Sequence, residues 1–168
     1  MRYVLLALLF LISLVLPGTL FHFWSWSGIK PDLVMLLVIY TALHSRPLSG
    51  ALYGALAGLL EDFFLGRYLG MYALTLTVVA LLSSWLAARW YRENFPLTVL
   101  LVFGVTAVGQ MLVGFLGIAA GLPWSPADIW RLVGGIALYN ALLVPLTYPW
   151  IHHSFLHGWL RYRPKYER

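Results

Sequence analysis

The run YVLLALLFLISLVLPGTLFHFWSWSGI, residues 3–29, contains no Asp, Glu, Lys or Arg. A helix needs about 20 apolar residues to cross a hydrocarbon core of about 30 Å, so this run predicts a first membrane span by itself. It is entered from Arg2 and left through Phe21, Phe23, Trp24 and Trp26, aromatic residues of the kind that settle at headgroup level. Bulky aromatics, not a small-residue cleavage site, follow Pro17-Gly18-Thr19, so the segment reads as a retained anchor and not a cleaved signal peptide.

The same character extends over all 168 residues: 61% are hydrophobic and 10% charged, against about 25% charged in soluble domains. The expected fold is all-α, one polytopic transmembrane domain forming a compact bundle of about six helices. Its spans fall at residues 3–26, 31–44, 48–64, 68–90, 96–121 and 128–157, with a basic tail over 158–168. Pro31 suits the first turn of the second span. The apolar runs Leu33–Leu43 and Leu48–Leu60 flank His44-Ser45-Arg46-Pro47, and each covers only about 20 Å. They form two short spans or a re-entrant hairpin; two spans are preferred, because a re-entrant tip would sink Arg46 into hydrocarbon at a cost of several kcal/mol. Gln110 and Asn140 are mid-span polar residues suited to hydrogen bonding across helices, and Pro145 and Pro149 interrupt the last span.

Basic residues divide unevenly between the two sides. Arg2, Arg46, Arg89, Arg92, Arg161, Arg163, Lys165 and Arg168 fall on one, and Lys30, Arg67 and Arg131 on the other, which puts both termini in the cytoplasm. Asp32, Glu61, Asp62 and Asp128 then lie at outer helix ends. The net charge of +5 comes from residues at helix ends and not from a continuous face, so it does not point to nucleic acid. The absence of cysteine excludes disulfides and a thiolate metal site.

The most distinctive local pattern is a four-residue beat, Gly50, Gly54, Gly58, Asp62, Gly66, Gly70. On a helix the first three glycines form a smooth stripe, flanked by Ala51 and Ala55, that lets another backbone approach closely. The stripe serves either packing within this bundle or docking of a partner's transmembrane helix. Asp62 is the carboxylate to single out: it holds the turn between two spans by capping or by pairing with Arg67, the reading preferred over a ligand or proton-handling role, while Glu61 points elsewhere and is solvated. His153 and His157 share a helix face, but no carboxylate lies near them before Glu167, so no metal site is assigned. No nucleophile elbow, zinc-protease helix or phosphate loop is present, and there is no relay of mid-membrane ionisable groups. The reading is therefore non-enzymatic, without cofactor.

The stretch from Lys30-Pro31-Asp32-Leu33 through Asp62-x-x-x-Gly66-x-x-x-Gly70 to Ser84, with Trp124-Ser125-Pro126-Ala127-Asp128 and a Pro-kinked last helix, resembles the rod shape-determining protein MreD family. The resemblance implies a multi-pass protein of the bacterial inner membrane. It would act as a scaffold of the elongation complex that synthesises lateral peptidoglycan, with MreC, through its transmembrane helix, as direct partner. RodA, the elongation-specific penicillin-binding protein and MreB would be further members. The partner-binding or helix-packing candidates are then Gly50, Gly54, Gly58, Asp32, Asp62, Gly66 and Gly70, with membrane lipid as surroundings. The family is also similar to the S components of energy-coupling-factor transporters. That similarity gives the alternative, a small-molecule or lipid-binding module with a pocket near Trp24, Trp26, Tyr72, Trp124 and Trp130.

Overall fold

The computed structural model describes residues 2–19, 29–66, 68–90 and 95–156. Six helices account for nearly all of them: α1 (Arg2–Thr19), α2 (Leu33–Leu43), α3 (Pro47–Leu65), α4 (Met71–Trp90), α5 (Phe95–Ala119) and α6 (Pro126–Leu156). The aromatic belt read at Phe21 to Trp26, the basic tail and Arg67 lie outside the described residues.

Helix boundaries follow local chemistry. Asp32, and not Pro31, caps α2: its side chain accepts from the Met35 N–H, and Pro31 sits one residue upstream of the cap. Pro47 opens α3 behind an extended Arg46, where its missing N–H is no loss. Ser125 begins α6 by accepting from the Asp128 N–H while its hydroxyl donates to the Asp128 carboxylate, a reciprocal cap. Pro145 and Pro149 are carried within the continuous α6.

The organising element is α2. Every residue from Val34 to Leu43 is buried, the signature of a helix apolar all round and enclosed on all sides. Each of the other five helices packs against it. Two antiparallel hairpins, α3–α4 and α5–α6, make the most extensive pairings, and Tyr40, Met35 and Ile39 are among the largest wholly buried side chains. The far end of α2 is fastened by polar contacts: Ser84 Oγ donates to the Ala42 carbonyl at 3.0 Å, and Tyr40 OH shares a 2.9 Å hydrogen bond with Thr147.

The outward faces carry leucine, phenylalanine and tryptophan, with Leu48, Phe63, Phe115, Leu146 and Trp150 mostly exposed. This is a surface solvated by lipid. Four helices, Pro47–Leu65, Met71–Arg89, Phe95–Ala119 and Pro126–Ile151, are long and apolar enough to cross a membrane, and the protein is a membrane protein. Of the two helices read as short, only α2 is. Its 11 residues cover about 16 Å, whereas α3 continues past Glu61-Asp62 through Phe64-Leu65, because Asp62 faces inward and does not end the helix.

Truncating the hub tests this architecture. Ile39→Ala, at a fully buried position, should lower stability by about 2 kcal/mol or more, read as a drop in thermal midpoint in detergent. Leu142→Ala, on the lipid face, should leave the midpoint in place; equal losses would contradict a buried α2.

Candidate functional site

A helix that starts inside a bilayer exposes backbone N–H groups with no water to accept them. The start of α2 is such a place. Gln110 lies about 14 Å from the end of α5, and Asn140 about 21 Å from the start of α6, at about 1.5 Å per residue. Both reach Asp32. One carboxylate oxygen accepts from Met35 N–H at 2.8 Å and the other from Gln110 Nε2 at 2.8 Å. Asn140 engages the Asp32 backbone from both sides: its Oδ1 accepts the Asp32 N–H at 3.0 Å, and its Nδ2 donates to the Asp32 carbonyl at 3.1 Å. Thr106 adds a longer contact to Asn140 at 3.4 Å. Asp32 is thus not at an outer helix end. It ties α2 to the middles of α5 and α6.

Asp62 plays the equivalent part for α4. It is 1% exposed, and its carboxylate accepts from the N–H groups of Gly70 (2.8 Å), Tyr72 (2.9 Å) and Ala73 (3.1 Å). A residue of α3 therefore caps the next helix, satisfying three donors that α4 cannot satisfy itself. The Asp62 carbonyl also accepts Gly66 N–H at 2.9 Å, closing α3. Gly66 at φ 63° and Gly70 at φ 100° adopt left-handed conformations that side chains resist, and the turn between the helices depends on them.

The glycine stripe lies beneath the same turn. A Cβ at Gly50 would stand 3.0 Å from Ser84 Oγ, one at Gly54 would collide with the Leu76 carbonyl, and one at Gly58 with the backbone of Tyr72 and Ala73. The stripe is covered by α4 of the same chain, so it forms no open groove for a partner. Gly58 and Asp62 act on the same residues, Tyr72 and Ala73: the absent Cβ lets the backbones meet, and the carboxylate joins them.

Glu61 departs from its solvated reading. It is partly buried, its Oε2 is enclosed without a hydrogen-bond partner among the described residues, and Asp32 and Asp62 are its charged neighbours there. The signal was available, since Glu61 stands one turn beyond buried Ala57 and i,i+4 residues share a helix face. His153 is exposed on α6 and His157 lies outside the described residues. The residues read as an aromatic pocket are described only in part. Trp24 and Trp26 are outside the described residues, Trp130 is 64% exposed, and Trp124 covers Gly117.

The family model for rod shape-determining protein MreD matches residues 1–155. No curated protein matches, and no solved structure does.

Removing the Asp62 carboxylate tests the cross-helix cap. Asp62→Ala orphans three donors and should destabilise by on the order of 3 kcal/mol, and Gly58→Val should do comparable damage through the clash with Ala73. Gly104→Ala, whose Cβ would meet nothing within 4 Å, is the control. Thermal unfolding followed by tryptophan fluorescence reads all three; an unchanged midpoint for Asp62→Ala would remove the cap from the account.

Proposed function

We propose that this chain, which belongs to the rod shape-determining protein MreD family, works as a non-enzymatic scaffold that holds the transmembrane helix of MreC within the elongation complex. Family membership places it in rod shape determination as a structural membrane protein. The observation that carries the scaffold reading is how the buried polar side chains are used. Asp32, Asp62, Gln110 and Asn140 all bond groups of the same bundle, which holds the helices rigidly and leaves partners the lipid-facing surface.

The docking surface shifts accordingly. With Gly50, Gly54 and Gly58 covered by α4, the exposed helical glycines with open space around them are Gly134 and Gly104, and the close approach is assigned to Gly104. It is exposed on α5 in a groove shared with α4 and lined by Leu82, Leu86, Leu100 and Val108. Small residues are where helices in lipid approach closely enough to gain packing energy. RodA, the elongation-specific penicillin-binding protein and MreB join through MreC or through other lipid faces. The excess of Lys and Arg on one side supports an inner-membrane orientation with both termini cytoplasmic.

Gly104→Leu separates binding from folding, because open space surrounds that position. It should retain its thermal midpoint while losing most of the MreC that co-purifies with wild type from native membranes. Undiminished co-purification would exclude the α4–α5 groove as the contact. Gly54→Leu cannot make this distinction, since it breaks the α3–α4 contact first. Orientation has its own measurement: a fluorescent protein fused to the C-terminus should be bright and a periplasm-dependent phosphatase at the same place inactive, and the reverse pattern would invert the topology.

A further inference from the structure

Between α1 and α3 the bundle is open to the bilayer. Two adjoining cavities, of about 450 Å³ and about 300 Å³, share Phe10, Ala57, Leu60 and Phe63, and apart from Tyr53 their lining is hydrocarbon or phenyl. The two helices meet at Leu6 and Tyr53, and both rest on α2. The groove runs along α3 from Tyr53 to Phe64, about 16 Å at about 1.5 Å per residue. That is half of a hydrocarbon core of about 30 Å, the depth of one leaflet and the reach of one acyl chain. A spanning helix would need the full thickness, and it would look for small residues where this groove has Leu56, Leu60, Phe63 and Phe64.

At the head of the groove, in the same turn of α3 as Leu60, Phe63 and Phe64, stands Glu61. Its neighbours Asp32 and Asp62 give their carboxylates to N–H groups of the bundle. Glu61 keeps an enclosed Oε2 with no hydrogen-bond partner among the described residues, and the side chain as a whole is only partly buried. A carboxyl group enclosed beside hydrocarbon without a hydrogen bond is unfavourable, and an ammonium donor reaching it would form a charge-assisted bond. An apolar trough one leaflet deep, headed by an unpartnered carboxylate in acidic company, has the chemistry of a receptor for a lipid with a primary-ammonium headgroup.

We propose that the α1–α3 groove binds one phospholipid of the phosphatidylethanolamine class from the leaflet at the C-terminal end of α3, its acyl chain in the groove and its ammonium on Glu61. This site is separate from the α4–α5 surface and does not rest on it. A choline headgroup has the positive charge but no N–H to donate, and a glycerol headgroup leaves the lipid anionic and repelled by three carboxylates. The full chain in nanodiscs of equal phosphatidylethanolamine, phosphatidylcholine and phosphatidylglycerol, transferred to detergent and weighed by native mass spectrometry, makes the test. Wild type should retain phosphatidylethanolamine over phosphatidylcholine by about tenfold, the margin of one charge-assisted hydrogen bond. Glu61→Gln should lose that preference while still holding lipid, and Leu60→Trp, which fills the groove from its exposed rim, should hold neither. Retention without headgroup preference, a preference unchanged in Glu61→Gln, or a protein helix displacing lipid from the groove in material purified with its partners would overturn the proposal.

Discussion

A backbone amide in hydrocarbon must find its acceptor within the protein, and the arrangement of this bundle follows from that requirement at two helix starts. At about 16 Å, α2 cannot cross the bilayer, so one of its ends must stop inside. The N-terminus stops there, at the level of Gln110 and Asn140, and a carboxylate is the group that the free N–H dipoles at a helix start favour. Asp32 supplies the charge. Two carboxamides then share its lone pairs and its backbone, so that the cap's polar groups are bonded within the bundle. Once these bonds form, α2 is fixed in depth, and the five helices around it are fixed against it.

The α3–α4 turn repeats the solution with a different source. Here the cap comes from the preceding helix, which is possible only because Gly50, Gly54 and Gly58 let α4 lie against the backbone of α3. Close approach and capping are therefore one device. A side chain at Gly58 would push Tyr72 and Ala73 out of reach of Asp62, and loss of Asp62 would leave a closely packed contact with three unsatisfied donors beside it.

Much of this was legible in the residues, and what was not has a physical reason. Helix positions could be read because in lipid an apolar run must be helical, and the charged and proline residues at 46–47, 89 and 96 mark the ends closely. The glycine stripe could be read as a contact surface, but its occupant could not. Periodicity gives the face of a helix without saying whether the facing backbone belongs to the same chain. The depth of Asp32 was hidden for a related reason: an aspartate before an apolar run looks like an interfacial cap until Gln110 and Asn140, more than seventy residues away, are seen to meet it. Glu61 was misplaced by sequence adjacency. Beside Asp62 it seemed to face the opposite way, yet a step of about 100° still leaves it over Ala57.

Where the internal contacts are made decides what remains for partners. The tightest close-approach surface is taken by α4, and Asp32 and Asp62 are taken by backbone. What the outside meets is mostly leucine, phenylalanine and tryptophan, exposed glycines on α5 and α6, and a partly buried carboxylate at the head of the α1–α3 groove. With the two proposed sites in use, such a bundle would discriminate among neighbours by shape along α4 and α5 and by headgroup charge at Glu61. The two surfaces lie on different helix pairs, and each leans on α2. A helix seated on one and a lipid on the other would thus press on the same buried element, whose position Asp32 holds.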